Sequence, residues 1–143
     1  MRTLDDVLRL RGADLAAAAA ALGADRGRRE KTSGYEGLSK LDAIDAPDGS
    51  QLLARGDALA LVYIGTESMP TGVRSDDLVS ALGSSGRSLR SRQGKSARMH
   101  VLAEEGIAWS EEDGDIGFIE IFPARSFDEY TRDIYEEPPK FVK

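Results

Sequence analysis

Residues 104–122 read EEGIAWSEEDGDIGFIEIF. Seven of these positions are acidic, yet Trp109, Phe118 and Phe122 fall among them. One segment can carry both loads if its side chains alternate. Strand residues point to opposite faces with period two, and Asp113-Gly114 is a two-residue turn signal. The stretch therefore predicts a β-hairpin with apolar groups inward and acids outward. By alternation Ile107 and Trp109 share one side, with Ala108 and Ser110 on the other. Phe118, Glu120 and Phe122 share a side of the second strand, and Ile119 and Ile121 take the opposite one. Both faces of that strand carry bulk, so one must meet helices. The other has two readings: an exposed aromatic patch rimmed by charge, as binding hot spots are, or a surface on which a C-terminal helix folds.

Downstream, Pro123 ends the strand and Ser126-Phe127-Asp128-Glu129 spells a capping box, with Phe127, Tyr130 and Ile134 on one side of the helix it opens. Upstream, His100–Ala103 predicts a strand and Glu104-Glu105-Gly106 a turn. Ser84–Arg98 is basic and serine-rich. Before it, Ser75-Asp76-Asp77 caps a helix whose apolar face is Leu78, Val79 and Leu82 and whose stop is Gly83. In the first half, Thr3 caps a helix with Asp5 and Asp6 in its first turn, where the dipole favours them. Gly12 interrupts, Asp14 restarts, and an alanine-rich run continues to the stop at Gly23. Ala24–Lys40 is polar, basic and glycine-bearing, with two readings: a short strand near Glu30–Tyr35, or a partly mobile segment. Strands follow at Leu41–Asp45, Ser50–Arg55 and Ala58–Ile64, with turns at Pro47-Asp48-Gly49 and Gly56-Asp57. The unbroken apolar run ALALVYI predicts a central strand covered on both faces.

The halves match in order. Leu22-Gly23 corresponds to Leu82-Gly83, and a basic stretch follows each. Asp48-Gly49 then corresponds to Glu105-Gly106, Gly56-Asp57 to Gly114-Asp115, and Leu61–Ile64 to Phe118–Ile121. The expected fold is α+β: two tandem helix-on-antiparallel-sheet units, residues 1–65 and 66–123, within a single domain, closed by a C-terminal helix and tail at 124–143. This layout, carried by Ser75–Gly83, the Leu-Gly helix ends and Glu105-Gly106-Ile107-Ala108-Trp109 through Ile121, resembles the tandem repeats of the β-lactamase-inhibitory-protein and BamE-like group and of similar bacterial immunity proteins. The resemblance implies a binding protein rather than an enzyme, and it transfers no functional residue to this chain.

Bulk properties narrow the chemistry. The chain has 143 residues, net charge −6, one histidine and no cysteine. Disulfides, thiolate metal sites and cysteine nucleophiles are excluded. No stretch reaches the ~18 apolar residues of a membrane span. The alanine run is only marginally apolar and follows three aspartates, so no signal peptide is expected, and the expected location is cytoplasmic. An acidic balance argues against a generic nucleic-acid binder, and the basic stretch lacks aromatics to stack bases. Its arginines are expected to pair with acids across the sheet.

His100 has no nucleophile elbow near it, and the turn acids are solvated rather than shifted into an acid–base pair. Glu111–Asp115 lacks the spacing of a calcium loop, and Arg55-Gly56-Asp57 is explained as a turn. No catalytic residue, cofactor or metal is expected. The leading functional expectation is a non-catalytic module that binds another protein, such as a basic toxin or enzyme, through an acidic sheet face comprising Trp109, Glu111, Glu112, Asp113, Asp115, Phe118 and Glu120. The alternatives are an assembly subunit that self-associates through the sheet, and a ligand-binding domain or enzyme with a pocket between sheet and helices.

Overall fold

The computed structural model describes residues 3–25, 27–32, 35 and 37–138. The fold is α+β: four helices and one eight-stranded antiparallel sheet. Helix α1 (Leu4–Leu8) is closed by the Thr3/Asp6 capping box, and α2 (Leu15–Leu22) starts at Asp14, whose carboxylate accepts from the Ala17 amide at 2.8 Å. Gly23 ends α2 in the left-handed region at φ 69°, as a C-terminal glycine does. Strands β1 (Arg29–Thr32), β2 (Leu41–Asp45), β3 (Gln51–Arg55) and β4 (Ala58–Gly65) form a meander. The first strand starts one residue earlier than expected, at Arg29. Ser33, Gly34 and Glu36, which share that expected region, lie outside the described residues.

After a 3₁₀ turn at Thr66–Ser68, α3 (Ser75–Leu82) leads to a second meander: β5 (Arg87–Arg90), β6 (Arg98–Leu102), β7 (Ile107–Glu112) and β8 (Asp115–Ile121). Helix α4 (Phe127–Asp133) follows, opened by the Ser126/Glu129 capping box. The strand order β1-β2-β3-β4-β8-β7-β6-β5 joins the two meanders at β4 and β8, where Val62 stands opposite Ile121 and Ile64 opposite Ile119. The most apolar strand is thus central, as its composition requires.

The sheet separates two cores. On one face α1, α2 and α3 pack over Leu52, Val62, Ile64, Ile107, Trp109, Ile119 and Ile121. On the other, Leu41, Leu53, Leu61, Met99, Phe118 and Phe122 meet Tyr35, Leu38 and the α4 residues Tyr130 and Ile134. The alternation read from β8 is therefore the observed one. Of the two readings of its Phe118 side, the covered one holds: the Phe122 and Tyr130 ring centroids lie 5.2 Å apart beneath α4.

One cap differs from expectation. The N-cap of α3 is Arg74, whose amide donates to Asp77 Oδ2 at 2.8 Å. Ser75 lies one position inside the helix, and its hydroxyl accepts the Trp109 indole N–H at 2.9 Å. A buried indole needs an acceptor, and this demand takes the serine away from the cap.

Candidate functional site

The expected site residues divide into two groups that the fold keeps apart. Trp109, Phe118 and Glu120 are buried, with at most 1 % of each surface exposed. They cannot meet a partner, which corrects the expectation for all three. Trp109 is buried because helix α3 covers its side of β7, and Phe118 because Tyr63 stacks on it and the Arg92 guanidinium lies 4.3 Å above its ring. Glu120 is buried because three distant segments bring donors to it. The Tyr35 hydroxyl donates to Oε2 at 2.6 Å, the Tyr130 hydroxyl to Oε1 at 2.7 Å, and Arg92 Nη1 sits 3.5 Å away. Arg92 also donates to the Tyr35 hydroxyl at 3.2 Å. A buried carboxylate is tolerable only when paired and hydrogen-bonded in this way. Burial pushes the Glu120 carboxyl up, and the two tyrosines and Arg92 pull against it. Burial likewise raises both tyrosine hydroxyls, so they remain donors. This node ties the first half, β8, the β5–β6 loop and α4 together.

The second group, Glu111, Glu112, Asp113 and Asp115, stands at the β7–β8 hairpin end. These acids occupy a tip, not a sheet face. Asp113 at φ 52° and Gly114 at φ 86° form the tight turn. A tip of this kind is usually mobile, but here it is clamped. Arg74 reaches from the start of α3 and donates to Asp115 Oδ1 at 2.7 Å and to the Asp113 carbonyl at 2.8 Å. The Ser75 amide donates to the Gly114 carbonyl at 2.9 Å. On the other flank, Glu111 Oε2 accepts the Gly114 amide at 2.8 Å, and Oε1 bonds His100 Nε2 at 2.8 Å. The bond from His100 and then that from Gly114 hold the Glu111 carboxyl below its usual range. A Cβ on Gly114 would collide with the Arg74 guanidinium, so the glycine serves the clamp as well as the turn.

Glu111 and Asp115 are therefore occupied in holding the turn. Glu112 and Asp113 are exposed, and among the described residues their side chains make no hydrogen bond or ion pair. Beside them a cavity of about 550 Å³ is bounded by Thr66, Gln93, Ala97, Glu112, Asp113 and Asp115. Among the described residues no three His, Asp or Glu side chains converge as a metal site would, and no helix is long and apolar enough to cross a membrane.

The basic stretch pairs less broadly than expected. Arg92 reaches Glu120, but Arg98, opposite Glu111 in register, makes no ion pair with it because both Glu111 oxygens point elsewhere. Sequence reasoning missed Arg74, Arg92 and Tyr35. Arg74 alone left a local signal: a long cation just before the helix acids, with an Asp-Gly turn elsewhere to receive it. No protein-family model matches the chain, and no curated protein or solved structure is similar enough to count as a match.

Proposed function

We propose that this chain is a non-catalytic protein-binding module of the immunity or inhibitor kind, working in the cytoplasm, which offers the β7–β8 hairpin end to a basic partner. The observation that carries this reading is the clamped turn with Glu112 and Asp113 left unpaired. Ordering a side chain or loop on association costs about 0.5–1.5 kcal/mol per long side chain, and a turn already held by Arg74, Glu111 and Ser75 avoids much of it. Outward carboxylates on a chain of net charge −6 accelerate encounter with a cationic surface. The adjoining cavity has room for a partner's lysine or arginine side chain between the tip and Gln93. We read the two meanders, each preceded by helix, as copies of one unit, so that the same scaffold is built twice and this hairpin is the specialised end of the second copy.

The other readings have less support. Self-association through sheet edges would use β1 or β5, which are short and carry Arg29, Glu30 and Lys31 or Arg87 and Arg90. Charged short edges oppose strand pairing. A ligand pocket between sheet and helices is offered by a cavity of about 490 Å³ between α2 and β2, lined by Leu15, Ala19, Ala24 and Ile44, but its charged lining groups Asp25, Arg29 and Asp57 are all exposed rather than converging inside it.

The test is photo-crosslinking in cells, with the reactive residue at Glu112 in one sample and at Asp57, on the exposed turn of the first meander, in another. Capture of one basic protein at 112 and not at 57 is expected. Its association with the chain should slow in E112K/D113K and with added salt. Equal labelling at both turns, or none at 112, would overturn the proposal.

A further inference from the structure

His100 joins the linker before β5 to the end of β7, two segments that do not pair with each other. Its ring stacks on buried Trp109 with centroids 5.1 Å apart and an interplanar angle of 19°. That stack fixes the ring plane, and both nitrogens then face acceptors. Nδ1 lies 3.0 Å from the Ser85 carbonyl, in the linker between α3 and β5, and Nε2 lies 2.8 Å from Glu111 Oε1. A carbonyl and a carboxylate can only accept, so both contacts are hydrogen bonds only when both nitrogens carry protons. We propose that His100 is a proton-operated clasp: as the imidazolium it ties the α3–β5 linker at Ser85 to the acidic hairpin, and as the neutral ring it keeps the hairpin and releases the linker.

The direction of release follows from the acceptors. A neutral ring has one N–H to place. A nitrogen lone pair facing a carboxylate is costlier than one facing a carbonyl, and a bond to a charged acceptor is the stronger. The proton therefore stays on Nε2, and the Ser85 carbonyl loses its donor. The remaining bond to Glu111 loses the donor's charge but keeps the acceptor's, so the hairpin side loosens less than the linker side.

The charged groups around the ring can be named. Glu111 on β7 is the bonded acid. Arg98, two residues along β6, stands opposite Glu111, and Arg74 from the start of α3 acts on the same carboxylate. From β5 the residue opposite His100 is neutral Ser88. The clasp is thus framed by one acid and two arginines. Its consequence for partner binding rests on the hairpin reading above; the clasp itself does not.

The experiment needs no partner. Imidazole ¹⁵N shifts of the full chain, which has one histidine, report charge and tautomer from pH 5 to 9. Amide exchange read alongside gives protection at Gly86, whose amide shares the Ser85 peptide, and at Gly114. In the neutral form the proton should lie on Nε2, and protection at Gly86 should fall about fivefold relative to the imidazolium, the loss of one hydrogen bond. Gly114 should fall less. H100Q, which keeps one donor towards Glu111, should show no such step. Nδ1–H in the neutral form, or Gly86 protection that is the same for both charge states of the ring, would overturn the clasp. Because crosslinking at Glu112 is read separately, failure there leaves this result standing, and failure here leaves the binding proposal standing.

Discussion

Glu120 and the pair Glu112/Asp113 lie on the same hairpin and are the same kind of group, yet they have opposite fates. Glu120 is fully buried among two tyrosine hydroxyls and an arginine drawn from three other segments. Glu112 and Asp113 are exposed at a turn whose neighbours are all engaged. A carboxylate becomes a structural fastener where tertiary neighbours replace its water completely, and a recognition group where they leave the water in place. The acidic character of the hairpin thus divides into an inner part that closes the fold and an outer part that stays in water.

The sharpest way to break this contrast is Glu120→Ala. It leaves the buried Tyr35 and Tyr130 hydroxyls without their acceptor and the half-buried Arg92 with Glu136 as its remaining acid, and each unsatisfied buried group typically costs about 1–3 kcal/mol. Urea unfolding should show that loss; a change under about 1 kcal/mol would mean the node is not fully desolvated. Glu120→Gln sharpens the point through pH. Burial raises the Glu120 carboxyl, so the native state keeps its proton to higher pH than the unfolded chain does. Its contribution to stability is then complete below the ordinary carboxylate range and is lost as pH rises through the raised value. Stability of the wild type minus that of the Gln variant should therefore decline from about pH 4 upward, and a flat difference would contradict the raised direction.

A middle-sized effect is expected at the clamp. Gly114→Ala places a side chain at φ 86° and against Arg74, costing about 1–2 kcal/mol. Amide exchange should localise the damage to residues 111–116 and the start of α3. The smallest effect belongs to the outer acids: E112K/D113K should shift stability by no more than about 0.5 kcal/mol. A larger drop in the urea midpoint would show that these side chains serve the fold after all.

Much of this was readable along the chain because it is local. The Thr3 and Ser126 caps, the glycine stops at Gly23 and Gly83, and the Asp113-Gly114 turn each depend on residues within a few positions. The alternation in β8 sorted Phe118, Glu120 and Phe122 from Ile119 and Ile121 correctly, since a strand has only two faces. The errors arose where a distant group intervened. Ser75 looked like a cap until Trp109 claimed its hydroxyl. Glu120 looked like a rim acid because nothing near it in the chain announces Tyr35, which is 85 positions away. The acidic surface was placed on a sheet face rather than a tip because α4 covers that face, and helix docking leaves little trace in the strand it covers.

By itself, then, the sequence determined the elements, their caps, the two-sided strand at the centre and the acidic turn, since each follows from backbone geometry and short-range chemistry. Only the tertiary structure decided which carboxylates keep their water. Solvation of a charge depends on every segment that can reach it, and those segments meet only when the chain has folded.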